Sequence, residues 1–184
     1  MGKLFNNTTD RAVDDLKASL RAHEKLSVAS AAFSIYAFRE LKAQLAQIDE
    51  LRFLFTSPTF AVPEKGAKES REYFIPNRGN EASLCGSPFE IRLRNELTQK
   101  AIARECAEWI REKVRFRTNM TSEAITPFVA LDRGQDASES YFPVPEFTTV
   151  GLGAERGNNI TNFIIKQGAP ETRQFLSAFD PIWN

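Results

Sequence analysis

The residues of this 184-residue chain that could carry chemistry are few, and they cluster toward its second half. Asp132, Asp136, Glu139 and Glu146 lie near one another in sequence and could share a metal ion, as nuclease carboxylates do, although their spacing matches no metal-site motif. Arg115 and Arg117 alternate with Val114 and Phe116, so a half-buried strand there presents both arginines on its outer face. Arg133 follows Asp132 directly, and Arg156 sits in the glycine-rich string GAERGNN. His23 is the only histidine. Chemistry that needs two imidazoles, or one beside a lysine, must use His23 or a second chain. Its place near the end of a predicted first helix suits a residue meeting the helix dipole.

Cys85 and Cys106 have no metal-ligand spacing. Cys106 falls on an apolar helix face as a small core residue, and Cys85 precedes a helix cap in a loop. Reduced thiols point to a cytoplasmic protein, and no signal peptide or membrane-spanning run is present. Lys plus Arg equals Asp plus Glu at 24 each, so no global basic field marks a nucleic-acid binder. A nucleic-acid surface has to be local. The segment from Glu90 to Arg117 carries eight basic and five acidic residues, an excess of three.

That segment belongs to the longest helical pattern, Ser87–Thr118, which runs straight into a strand. Ser87, Pro88 and Glu90 spell a capping box. Ile91, Ile102, Cys106, Trp109 and Ile110 share one face, opposite Lys100, Arg104, Glu105, Glu108 and Arg111. Leu93, Leu97 and Ala101 form a second apolar line, which implies deep burial or a partner.

Before it, residues 1–8 read as a frayed start. A first helix capped by Thr9 or Asp10 points Val13, Leu16 and Leu20 inward. A strand at Leu26–Phe33, a helix with Phe38, Leu41, Leu45 and Ile48 inward, and a strand at Leu51–Thr56 follow. Residues 57–86, with three prolines and three glycines, form a long excursion. After it, Ile125–Leu131 reads as a buried strand, Asp132–Ser140 as a polar loop, and Phe147–Gly153 and Ile160–Lys166 as strands. Pro170 opens a last helix that carries Phe175, Leu176 and Phe179 inward. Pro181 stops it, and Trp183 packs back. Alternating helices and strands argue for an α/β layer with parallel neighbours.

The strings SIYAFRELKAQLAQIDELRFLFTSPTF (34–60), ELTQKAIARECAEWIREKVRFRT (96–118), FTTVGLG (147–153) and FDPIWN (179–184), in this order, give the chain a resemblance. It resembles the phospholipase D-like domain at the N-terminus of some bacterial Swi/Snf-type superfamily II helicases. The resemblance covers nearly the whole chain. It implies a mixed sheet flanked by helices, and one domain of a longer protein with a helicase motor downstream. The expectation is therefore a single α/β domain over residues 1–184, its mixed and largely parallel sheet flanked by helices on both faces. No G-x-x-x-x-G-K-[ST] pattern occurs, so the ATP site is expected in the downstream motor.

The family's chemistry needs H-x-K-x-x-x-x-D, whose histidine attacks phosphorus while the lysine neutralises phosphate charge. The window falls on Ile125–Asp132. Ile125 stands at the histidine position and Pro127 at the lysine position, and only Asp132 matches. The string PEFTT lacks the family's Gly-Ser-x-Asn. The resemblance thus implies a domain that kept the fold without the catalysis and needs no cofactor. Such a domain can still face phosphates, and Arg115, Arg117, Arg133 and Arg156 are the candidates for contacts to DNA or RNA backbone. Two alternatives stand beside this reading. One is a homodimer through Leu93, Leu97 and Ala101. The other is an enzyme whose site has moved to the four carboxylates.

Overall fold

The computed structural model describes residues 2–56, 97–134, 136–158 and 161–184. The capping box, Ile91, Leu93, Cys85 and the excursion at 57–86 lie outside the described residues. In chain order the elements are β1 (Lys3–Phe5), α1 (Ala12–Ser19), β2 (Lys25–Ser30), α2 (Ile35–Leu45), β3 (Glu50–Phe55), α3 (Leu97–Lys113), β4 (Val114–Thr118), β5 (Phe128–Asp132), β6 (Glu139–Phe142), β7 (Ile164–Gln167) and α4 (Ala169–Trp183).

The strands form one mixed sheet in the order β1-β7-β6-β5-β2-β3-β4. Only β2–β3 and β3–β4 pair in parallel; the other four pairings are antiparallel. The sheet is therefore mostly antiparallel, which corrects the expectation of a largely parallel one. The reason lies in the connections. Parallel neighbours need a long crossover, and α2 supplies one between β2 and β3. Among the described residues no helix separates β5, β6 and β7, and they meander.

Side-chain alternation sorts the core into two layers. Leu26, Val28, Leu51, Phe53, Val129 and Leu131 point to one face, which α1, α2 and α3 cover. Ala29, Leu54, Phe128 and Ala130 point to the other, where Leu176, Phe179 and Trp183 of α4 pack. Helices thus lie on both faces.

Over the described part of α3 the predicted face is observed from Cys106 onward, with Ile102 half-buried. Cys106, Trp109 and Ile110 are buried, while Arg104, Glu105, Glu108 and Arg111 are exposed. Trp109 donates its indole N–H to the Leu45 carbonyl (2.9 Å), and Lys113 reaches the Ile48 carbonyl (2.6 Å). These contacts pin both ends of the α2–β3 turn to α3.

Several local expectations are corrected. Residues 3–5 are a paired strand with Phe5 fully buried, not a frayed end. Neither Thr9 nor Asp10 caps α1. Asn7, at φ 52°, swings its side chain back so that Oδ1 accepts from Ala12 N–H at 2.7 Å. His23 lies beyond α1 in the turn to β2, at φ 63°, exposed and 3.0 Å from Asp49. Strand β6 (139–142) begins inside the predicted loop, taking up its last two residues, Glu139 and Ser140.

Phe147 makes a single bridge to Phe33, and the chain then coils instead of continuing as a strand. Backbone bonds turn it on itself, Leu152 N–H donating to the Thr148 carbonyl (2.9 Å) and Gly153 N–H to the Val150 carbonyl (3.0 Å), and Gly153, at φ 77°, packs against Asn7 so closely that a Cβ would run into that side chain. Helix α4 continues through Pro181 to Trp183. The carbonyl that this proline leaves unbonded belongs to exposed Ser177, near the helix end, where the loss is small.

Candidate functional site

The window that would hold catalysis begins where the chain returns from β4. Asn119, buried, folds this return. Its Oδ1 accepts from the Thr121 N–H (2.9 Å) and hydroxyl (2.6 Å), and its amide donates to the Glu123 carbonyl (2.8 Å). The chain then delivers Ile125 into the apolar layer with Leu54, Phe128, Phe179 and Trp183. Pro127 follows, its carbonyl accepting from Val144 N–H at 3.0 Å.

Asp132 is not near either residue. It ends β5, opposite Lys25 at the start of β2, so the strand length separates it from Pro127. At the Pro127 end, Ser30 is fully buried, with Oγ 3.0 Å from the carbonyls of both Val144 and Pro145. Its proton is committed to the backbone.

The four candidate carboxylates do not converge. Glu139 is inward on β6, Asp136 is exposed in the loop before it, and Glu146 lies beyond Pro145 at the opposite end of the sheet from Asp132. Among the described residues no group of three or more His, Cys, Asp or Glu could hold a metal ion. Of the second apolar line, Leu93 lies outside the described residues, Leu97 begins the described part of α3, and Ala101 is exposed.

The four candidate arginines occupy three places. Arg115 and Arg117 share the outer face of the edge strand β4, on the α4 side of the sheet. Arg115 is highly exposed and pairs with Glu50 across the register (3.1 Å). Arg117 is exposed, with its guanidinium 5.2 Å from the Trp183 ring centroid and one N–H donating to the Asn184 carbonyl (3.3 Å). Arg52 on β3, which sequence reasoning passed over, stands beside Arg115 in register. It is mostly buried, bonded to Ser27 Oγ (2.8 and 3.1 Å) and Asp180 (2.9 Å). Arg156 is exposed in the 151–158 segment, on the α1 side, where Arg11 reaches the Ala154 carbonyl.

Arg133 has a different environment altogether. Its guanidinium is inside, bonded to Glu24, to Glu139 (2.8 Å) and to the Ser19 carbonyl. It opens a chain of alternating charges beneath α1. Glu139 also meets Lys166 (3.2 Å), and Lys166 meets Asp15 (2.8 Å). Tyr141 donates its phenol to Asp15 (2.8 Å), with Ser19 Oγ 3.1 Å away.

Burial works against the charged form of Asp15, but hydrogen bonds from Lys166 and Tyr141 and the charges of Lys166 and Lys3 outweigh it, holding its carboxyl below the usual range. Burial, with the nearby carboxylates of Asp15 and Glu139, pushes the Tyr141 phenol up, so it stays neutral and donates. Lys166 Nζ lies 2.9 Å from Ser19 Oγ, the spacing of a serine–lysine nucleophile pair. Lys166 is itself held between the carboxylates of Asp15 and Glu139 (2.8 and 3.2 Å). Its three acidic and two basic groups come to balance only with Lys3, 3.4 Å from Asp15, and the cluster joins α1 to β6 and β7. Its one signal in the sequence was Lys166, two residues from buried Ile164 and therefore on the same inward face.

Compared with known proteins, the chain matches no protein-family model and no curated protein sequence.

Proposed function

We propose that this chain is a non-catalytic, phospholipase D-like module that holds nucleic-acid backbone through the arginines of β4, on behalf of a helicase motor elsewhere in its protein. The observation that carries the reading is the placement of Arg115 and Arg117. They are exposed, on one face of an edge strand, and about 7 Å apart along it. Two guanidiniums so spaced can bridge successive phosphates of one strand, and such contacts tolerate any sequence. The absence of catalysis is supported by Ile125 and Pro127, which bring neither a nucleophile nor a charge to the window. Arg133 is left out of the surface because its guanidinium is spent on Glu24 and Glu139. Arg156 stands apart from the β4 pair.

Fluorescence anisotropy with labelled single-stranded and duplex oligonucleotides at low salt tests this. The wild type is expected to bind both without sequence preference. Replacing Arg115 and Arg117 together by Ala should lower the slope of log affinity against log salt by roughly 1.4–1.8. No binding at tens of micromolar protein would remove the reading.

A further inference from the structure

The two β4 arginines are not equivalent. Arg115 is opposed by Glu50, a carboxylate that competes with any phosphate. Arg117 has no Asp or Glu ion pair among the described residues and is held from behind. Phe179 and Trp183 stack at 5.4 Å with an interplanar angle of 14°. Arg117 lies over the Trp183 ring, and the Asn184 carbonyl takes one of its five N–H donors. Trp183 is itself fixed, being buried, with the Arg52 guanidinium 5.9 Å from its centroid and Arg52 anchored by Asp180 and Ser27. The last turn of α4 is thus a rigid support against which an otherwise floppy, exposed side chain is laid.

We infer that Trp183 is a positioning residue for phosphate. It orients Arg117 so that its remaining donors face outward, which makes Arg117 rather than Arg115 the principal backbone contact. The inference rests on the phosphate-binding reading and deepens it. The physical reason is entropic: arginine carries much rotamer freedom, and a stacked, hydrogen-bonded guanidinium has surrendered it before the ligand arrives. The ring's quadrupole favours the cation without neutralising it, so the charge stays available to the ligand.

A double-mutant cycle read by oligonucleotide anisotropy tests this. Arg117→Ala should weaken binding about tenfold or more and reduce the salt slope. Trp183→Leu should weaken it about two- to fivefold, with the salt slope unchanged because no charge is lost. Trp183→Phe should restore most of the affinity. The deciding variant is the double mutant. If Trp183 acts through Arg117, adding Trp183→Leu to Arg117→Ala costs nothing further in binding. An equal loss in both backgrounds would show Trp183 to be merely structural and overturn the inference. Arg117→Ala binding as tightly as wild type would overturn it too, while leaving phosphate binding through Arg115 standing. Failure of the wild type to bind removes both. Thermal unfolding of each variant identifies any that does not fold, and Arg117→Gln, in the exposed position, then completes the comparison with Trp183→Phe.

Discussion

The two halves of the sheet are built by different physics. Over β2, β3 and β4 the face toward α2 and α3 is aromatic. Phe53 meets Phe33 at 5.6 Å, Phe55 at 4.9 Å and Phe116 at 5.5 Å, and Phe38 packs on Trp109 at 4.9 Å. Over β5, β6 and β7 the same face meets α1 through apolar contacts and through the charges of Glu24, Arg133, Glu139, Lys166 and Asp15. The aromatic half is held by packing of uncharged rings. The ionic half needs every member, because removing one leaves a buried charge unpaired. The exposed arginines lie on the opposite face, on β4 at the edge of the sheet.

The comparison can be sharpened by cutting each half once. Phe53→Ala, in the centre of the aromatic layer, should cost about 3–5 kcal/mol through a cavity. Arg133→Met, which strands Glu24 and leaves Glu139 with Lys166 alone, should cost a similar amount, about 3–5 kcal/mol, despite its apolar replacement. Urea unfolding measures both. If Arg133→Met were neutral, the charge chain would be ornamental and the contrast between the halves would fail.

Acid provides a gentler cut. The Asp15 carboxyl is held below its unfolded value of about 3.9, so its contribution is fully present above that pH and is lost as pH falls through the lower folded value. Amide exchange at falling pH should show α1 losing protection before α2 and α3. Asp15→Asn should give lower stability at neutral pH and a flatter acid limb. Simultaneous loss in all three helices would mean that the halves are not energetically separable.

The smallest effect is expected where the aromatic half hides its thiol. Burial pushes Cys106 up to about 12, so at pH 8 it should remain unmodified by iodoacetamide. In a Cys85→Ser background, labelling should appear only when urea unfolds the protein. Prompt labelling under native conditions would show that α3 opens readily from the sheet.

Legibility in the sequence follows the same division. The strand LRFLFT, the buried face of α2 and the Cys106–Trp109–Ile110 face of α3 are local patterns, and each lies where the periodicity put it. Trp183 packs back as expected, on Phe179. The exposure of Arg115 and Arg117 on one side of β4 was equally readable from alternation. Strand β6 was not readable, because its inward residue Glu139 looks like loop polarity until Arg133 and Lys166 are seen beside it. Strand β1 was missed because three residues carry no period, and β7 supplies its pairing from the other end of the chain.

By itself the sequence determined what each segment prefers: the helical stripes, the apolar runs, and a motif window holding Ile125 and Pro127 in place of a nucleophile and a charge. Those are properties of side chains a few positions apart. Only the tertiary structure decided that the sheet is mostly antiparallel, that Asn7 and not Thr9 caps α1, and that Arg133 is buried while Arg117 is laid on Trp183. Each of these joins residues distant in the chain. The fate of a charge depends on whether an opposite charge arrives with it when water is excluded, and no local pattern records that.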